Sequence, residues 1–319
     1  MTLAWGIAAT GRIAQTVGSV IAAHPDMRVA AVGSRHPGRG AALAAELGAA
    51  RSHASYDALV ADPDVDAVYV ATPHAMHAEV VELALAAGLP VLCEKPLTHS
   101  LAETERLVGL AQGARVFLME AMWTRFNPLV QQLGDLVHRG ELGEVRSVHA
   151  AFGFVAPDDP AHRLWDPALG GGALLDLGIY PVDFARLLLG APDRIQATGR
   201  IASTGVDADA GLLLTFPGGG RALLDVSLTA VLPSIATVSG TRAYAELGPA
   251  FHAPTWLRLT GPDGSTREVG VADRFAGYVG ELEEVARCLA AGRTESDVMP
   301  LSETLATMIV LDRARLLLS

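Results

Sequence analysis

Ala8-Ala9-Thr10-Gly11-Arg12-Ile13-Ala14 closes an apolar run at 3–8 and opens a helical pattern at 12–23. A strand, a tight turn and an immediate helix aim backbone N–H groups and a helix N-terminus at one point, which is how a pyrophosphate is cradled. The fingerprint G-x-G-x-x-G/A falls on positions 9, 11 and 14, occupied by Ala9, Gly11 and Ala14. Ala9 has to make the turn with a Cβ, which restricts its backbone. Gly6 lies too early, inside the run. Taken alone, the loop also fits an ordinary small-residue turn between strand and helix.

Working outward, apolar runs recur at 28–33, 67–71, 91–93 and 116–119, separated by helical patterns at 40–47, 55–61, 75–87 and 101–111. That alternation predicts βαβ units and a parallel sheet, and the unbroken apolar runs predict helices on both its faces. The pattern changes after Ala121. A helix is expected at 128–138, a long strand at 144–154 and an apolar helix at 173–189. Strands are expected at 194–203, 208–216, 221–229, 235–239, 243–248, 256–260 and 265–269, and helices at 277–291 and 302–318 close the chain. Turns such as Pro217-Gly218-Gly219-Gly220 join neighbouring strands as antiparallel hairpins. The expected fold is α/β: a Rossmann parallel sheet over residues 1–122, then an α+β domain over 123–319 with a large, mostly antiparallel sheet.

The second strand should end near Ser34-Arg35, with Arg39 close behind and no acid nearby. An acid at that point holds the ribose 2′-hydroxyl of NAD, whereas arginine accommodates the 2′-phosphate of NADP. The residues therefore favour NADP over NAD, although Arg35 and Arg39 also fit solvated surface charges. Thr72-Pro73-His74, with His77, and Glu94-Lys95-Pro96 lie at carboxyl ends of strands, where open α/β sheets bind ligands. Downstream, Gly170-Gly171-Gly172 leads into Asp176 and Tyr180, four apart and so on one helical face, with Asp183 at the next turn. Tyr180 also fits a core aromatic, and Asp176 a backbone partner of the glycine turn. Trp123, Arg125, Phe154, Arg163, Trp165, Trp256, Phe275 and Tyr278 are candidate cleft or core residues. His74 and His77 have no third partner at metal-ligand spacing, so no metal is expected.

These words together resemble the Gfo/Idh/MocA oxidoreductases, most nearly the group of trans-dihydrodiol dehydrogenases and NADP-dependent D-xylose dehydrogenases. The likeness runs through Glu94-Lys95-Pro96, Met119-Glu120-Ala121-Met122-Trp123-Thr124-Arg125-Phe126, His162-Arg163-Leu164-Trp165-Asp166-Pro167 and the 170–183 run. It implies a catalytic Lys95, often followed by a cis peptide, completed by Asp176 and Tyr180. It also implies a second domain whose open sheet face often forms a dimer. The departure is Ala9, where the family usually has glycine. The resulting expectation for the cofactor is contact with Ala9, Thr10, Gly11, Arg12, Ile13, Ser34, Arg35, Arg39, Thr72, Pro73, His77, Glu94, Lys95, Arg163 and Trp165. For the substrate it is Lys95, Trp123, Phe154, Asp176 and Tyr180, in a site between the two domains.

Chemistry assigns roles to these residues. Tyrosine, with an ordinary pKa of about 10, is a weak base at neutral pH unless a cation stabilises its phenolate. Tyr180 is expected as general acid/base, Lys95 as its activator and substrate donor, and Asp176 as an orienting group. The expected activity is hydride transfer between NADP and a hydroxyl carbon of an aldose, cyclic polyol or dihydrodiol. An NAD-dependent inositol-type dehydrogenase and a non-catalytic nucleotide-binding sensor are the alternatives. A formal charge of -11 disfavours nucleic-acid and acidic-membrane partners. Two distant cysteines and no basic leader suggest a cytoplasmic protein, and a homodimer or higher homo-oligomer is expected.

Overall fold

The computed structural model describes residues 2–318. The chain forms two compact units, one of residues 1–122 with 278–305 and the other of 123–277 with 306–319.

The first unit alternates strand and helix: β1 (Leu3–Ala8), α1 (Arg12–Ala23), β2 (Met27–Gly33), α2 (Pro37–Glu46), β3 (Arg51–His53), α3 (Tyr56–Val60), β4 (Ala67–Val70), α4 (His77–Ala86), β5 (Val91–Glu94), α5 (Leu101–Ala114) and β6 (Leu118–Ala121). All neighbours pair in parallel, in the order β3-β2-β1-β4-β5-β6. The order reverses between β1 and β4, so a crevice opens at their carboxyl ends. Ile7, Val68, Val70 and Leu92 are fully buried, as two covered faces require. The strand at 51–53 was not expected. Arg-Ser-His carries no apolar signal, and its first two residues are exposed at the sheet edge.

The second unit contains α6 (Pro128–His138), β7 (Val145–Gly153), α7 (Ile179–Leu189), β8 (Arg194–Ile201), β9 (Asp207–Thr215), β10 (Arg221–Ser227), β11 (Ala236–Gly240), β12 (Tyr244–Gly248), β13 (Trp256–Thr260) and β14 (Thr266–Val271). Its sheet runs β14-β13-β12-β11-β7-β10-β9-β8, antiparallel except where β7 meets β10. Along β10, Ala222, Leu224 and Val226 are buried while Arg221, Leu223 and Asp225 are exposed, the period-two signature of a sheet covered on one face. The helix expected at 173–189 is two pieces. Leu174–Gly178 is a π-helical turn, and α7 begins after it.

Two helices close the chain, α8 (Ala276–Ala290) and α9 (Leu301–Leu318). The expected second domain is therefore not one continuous stretch. From residue 278 the chain returns to the first unit, where Thr294 O accepts the Leu118 N–H at 3.2 Å and Leu301 joins the core. Among the described residues no helix is long and apolar enough to cross a membrane.

Candidate active site

In the first unit the turn after β1 is set by Ala9, at φ +116. An L-residue at that angle is strained, and Ala9 N–H is tied down to Gly33 O at 3.0 Å. Gly11 sits at φ −76, and a Cβ there would meet nothing within 4 Å. It caps α1 without a side-chain hydrogen bond. The first-turn N–H groups therefore have no side-chain cap, and the space before them is open. At the end of β2, buried Ser34 accepts the His36 N–H on its Oγ at 3.1 Å, and Arg35 and Arg39 are exposed. Burial raises the pKa of the Tyr56 phenol, and the nearby Arg35 guanidinium opposes this. After β4, Thr72 Oγ1 is buried with no hydrogen-bond partner. An uncapped helix start, space at Gly11, an orphaned hydroxyl and guanidinium groups beyond β2 fit a phosphorylated dinucleotide.

Lys95 follows β5 and is half-buried, with a cis peptide to Pro96. Neighbouring groups hold its loop. Glu120 Oε1 accepts the Leu97 N–H at 2.8 Å. The ring of His77 lies against Pro96 O and Thr72 O. The Tyr69 hydroxyl donates to Glu94 Oε1 at 2.5 Å. Glu281, on α8, is fully buried, and burial and the charge of Glu94 push its carboxyl well above the usual range. Burial likewise pushes up the Cys93 thiol.

In the second unit the three glycines are sterically required. Gly170 and Gly172 take φ of +75 and +119. A Cβ on Gly171 would lie 2.7 Å from Leu164 O, and one on Gly172 would lie 2.5 Å from Asp207 Oδ1. Asp207, from β9, accepts the Leu174 N–H at 2.5 Å and so caps the π turn. Burial raises the Asp207 pKa, and the donated N–H groups moderate that rise. Asp176 lies on this turn and is reached by Arg163 Nη1 at 2.9 Å. Single π turns concentrate at functional sites.

Tyr180 follows on α7 with 8% of its surface exposed. Trp123 Nε1–H donates to its hydroxyl oxygen at 3.1 Å. Around it, Phe152 and His252 stack at 4.2 Å between ring centres, and His252 lies 5.1 Å from the Tyr180 ring. The Arg125–Asp183 pair fixes Trp123 against α7. Arg125 Nε and Nη2 both donate to Asp183 at 2.7–2.9 Å, and both side chains are buried. Removing one partner of such a pair leaves a buried charge, which costs about 3–5 kcal/mol.

Residues 3–122 match the oxidoreductase family with the NAD-binding Rossmann fold, and residues 130–246 match the GFO/IDH/MocA C-terminal domain. The chain belongs to the Gfo/Idh/MocA oxidoreductase family. It is 38% identical to the trans-1,2-dihydrobenzene-1,2-diol dehydrogenase of Mus musculus, over 99% of this chain and 96% of that one. The corresponding Homo sapiens enzyme is 36% identical, over 99% and 96%. Among solved structures, the 3-ketoreductase KijD10 of Actinomadura kijaniata, in complex with NADP and TDP-benzene, superposes with a TM-score of 0.89. It is 28% identical, with 99% of this chain and 98% of that one covered. The aldose-aldose oxidoreductase of Caulobacter crescentus, complexed with glycerol, superposes at 0.88, with 27% identity and 99% and 98% covered. The protein is therefore an enzyme of the oxidoreductase class with an NAD(P)-binding Rossmann domain.

With the family established, the expected residues can be placed. Ala9 to Ile13, Ser34, Arg35, Thr72, Pro73 and Lys95 gather at or just beyond the carboxyl ends of the parallel strands, with Arg39 on α2. His77 is buried with its ring against Pro96 O and Thr72 O, and the Glu94 carboxylate accepts the Tyr69 hydroxyl. In the second unit Arg163 joins Asp176, Trp123 joins Tyr180, and the Phe154 ring lies 6.4 Å from Phe152. Trp165 Nε1 donates to Pro157 O at 2.7 Å. The Arg258 and Arg274 guanidinium groups lie over the Trp256 and Phe275 rings at 4.9 and 5.3 Å, and Phe275 stays exposed. Sequence reading missed Phe152, His252 and Glu281. Phe152 was within reach, because it stands two residues before Phe154 and so shares its side of the strand. His252 sits in a turn with no motif around it.

Proposed function

We propose that the protein is an NADP-dependent dehydrogenase of CH–OH groups, acting on a dihydrodiol, cyclic polyol or aldose, with Lys95 and Tyr180 as its acid/base pair. The observation that carries this reading is the Trp123 N–H held on the Tyr180 oxygen at 3.1 Å, beside Asp176 on a π turn. A donor in that position stabilises an oxygen that gains negative charge.

In this reading the Gly11 turn and the α1 N-terminus hold the pyrophosphate, and Ser34, Arg35 and Arg39 hold the 2′-phosphate. Bound NADP supplies the hydride acceptor. Tyr180 Oη takes the proton of the substrate hydroxyl as the C–H bond breaks. The Lys95 ammonium stabilises the phenolate and donates to the reacting oxygen. Asp176, paired with Arg163, orients the substrate. The rings of Phe152, Phe154 and His252 offer an apolar wall to a carbocycle or to the C–H face of a sugar.

Tyr180→Phe is expected to lower turnover by about 10²- to 10⁴-fold while NADPH binding, followed by fluorescence, survives. Unchanged turnover would remove Tyr180 from the mechanism. The reading includes a homodimer through the open face of the large sheet. That face exposes Leu223 and carries a hollow of about 800 Å³ whose lining includes Leu213, Leu223 and Ile235. Light scattering should give a dimer mass for the wild type and a monomer mass for Leu223→Asp. The two buried free cysteines suit a reducing cytoplasm.

A further inference from the structure

His77 is fully buried at the start of α4, yet both of its ring nitrogens face backbone oxygens. Nδ1 lies 2.9 Å from Pro96 O, and Nε2 lies 2.8 Å from Thr72 O. These carbonyls are 24 residues apart in sequence and belong to the two loops that matter most in this unit. One loop carries the orphaned Thr72 hydroxyl, and the other carries Lys95. The next backbone group of the lysine loop, the Leu97 N–H, is taken by Glu120. Consecutive backbone groups are thus gripped from opposite neighbours, α4 and β6.

We propose that His77 is a positioning residue for Lys95, its ring fixing the Pro96 carbonyl and so the height of the lysine loop beside the loop of Thr72. This inference rests on the reading of Lys95 as half of the acid/base pair. A carbonyl only accepts, so each contact needs a ring N–H, and a neutral imidazole has one. Burial, seconded by the charge of Lys95, lowers the imidazole pKa, while backbone acceptors at Thr72, Pro96 and Leu97 raise it. The other titratable ring beside it is His74, 5.8 Å away between centres. At neutral pH the single proton therefore goes to one carbonyl, and the positioning role requires that carbonyl to be Pro96.

Isosteres separate the two contacts, because Asn places a donor near the Nδ1 position and Gln near the Nε2 position. His77→Gln and His77→Leu are expected to lower kcat about 10- to 100-fold with little change in substrate KM, since a small displacement of a reacting group costs that much. His77→Asn should recover most of kcat. Equal kcat in all three variants, whether unchanged or equally reduced, would overturn the proposal. A measurement on the wild-type protein covers variants that do not fold. NMR of the deuterated full-length chain should show a slowly exchanging His77 Nδ1–H with scalar coupling to the Pro96 carbonyl carbon. A proton found on Nε2 and coupled to Thr72 would contradict the proposal. This readout needs no turnover, so an inactive preparation that shows the coupling would fault the functional reading and leave the positioning of the loop intact.

Discussion

Two glycine turns launch the two helices that carry most of the candidate site, and they are built on opposite principles. At 9–11 the residue with the left-handed backbone is Ala9, at φ +116, while Gly11 takes an angle any residue could adopt. At 170–172 the glycines stand where glycine is required, at φ +75 and +119 or against the Leu164 carbonyl. The first turn leaves open space and uncapped N–H groups. The second is filled, its helix start capped by Asp207 from a neighbouring strand. The difference suggests that the first turn is shaped for something that arrives and the second for holding Asp176 and Tyr180 still.

Substitutions can break that comparison. The largest effect is expected from Gly172→Ala, which combines a strained backbone angle, close to that of Ala9, with a Cβ 2.5 Å from Asp207 Oδ1. Chemical denaturation should show a loss of about 3 kcal/mol. Gly11→Ala should behave oppositely. Its stability should stay within about 0.5 kcal/mol of wild type, because the space is open and the angle ordinary. On the proposed placing of the pyrophosphate at this turn, NADPH affinity should fall at least tenfold, because the new Cβ would occupy its approach. A destabilised Gly11→Ala with normal affinity would reverse the assignment of the two turns. Ala9→Gly should relieve strain and stabilise by about 1 kcal/mol, the entropic cost of glycine offsetting part of the gain.

The smallest effect concerns pH. Burial and the charge of Glu94 raise the Glu281 carboxyl in the fold above its unfolded pKa. Its contribution is without penalty below the ordinary carboxylate pKa. As pH rises past that value the unfolded chain gives up the proton first, and stability is lost. Glu281→Gln should therefore be more stable than wild type at pH 8, with the advantage shrinking toward pH 4. A pH-independent difference between the two unfolding curves would show that the carboxyl is already ionised in the fold.

The same contrast explains what was legible in the sequence. The parallel sheet could be read because most of its strands are largely apolar runs separated by helical patterns. The strand at 51–53 could not, because at the edge its side chains face water. The π turn at 174–178 was hidden because every residue in it is buried, so no polar face reveals the extra residue per turn. Asp176 and Tyr180 were singled out from spacing and resemblance. Their partners Arg163 and Trp123 were named as cleft candidates but not paired, since nothing local in the sequence specifies contacts 13 and 57 residues apart. The return of 278–305 to the first unit includes packing at Leu301, a backbone bond at Thr294 and the His24–Glu283 contact, none of which leaves a motif.

The most direct test is reduction of cofactor by the purified enzyme, followed at the NADPH absorbance band. NADP and NAD would be offered in parallel with trans-dihydrobenzenediol, inositols and aldoses. The account predicts reduction of NADP by at least one of these substrates, a much slower rate with NAD, and loss of the signal in Tyr180→Phe. Reduction of NAD alone, or no reduction of either cofactor by any substrate in the panel, would contradict it.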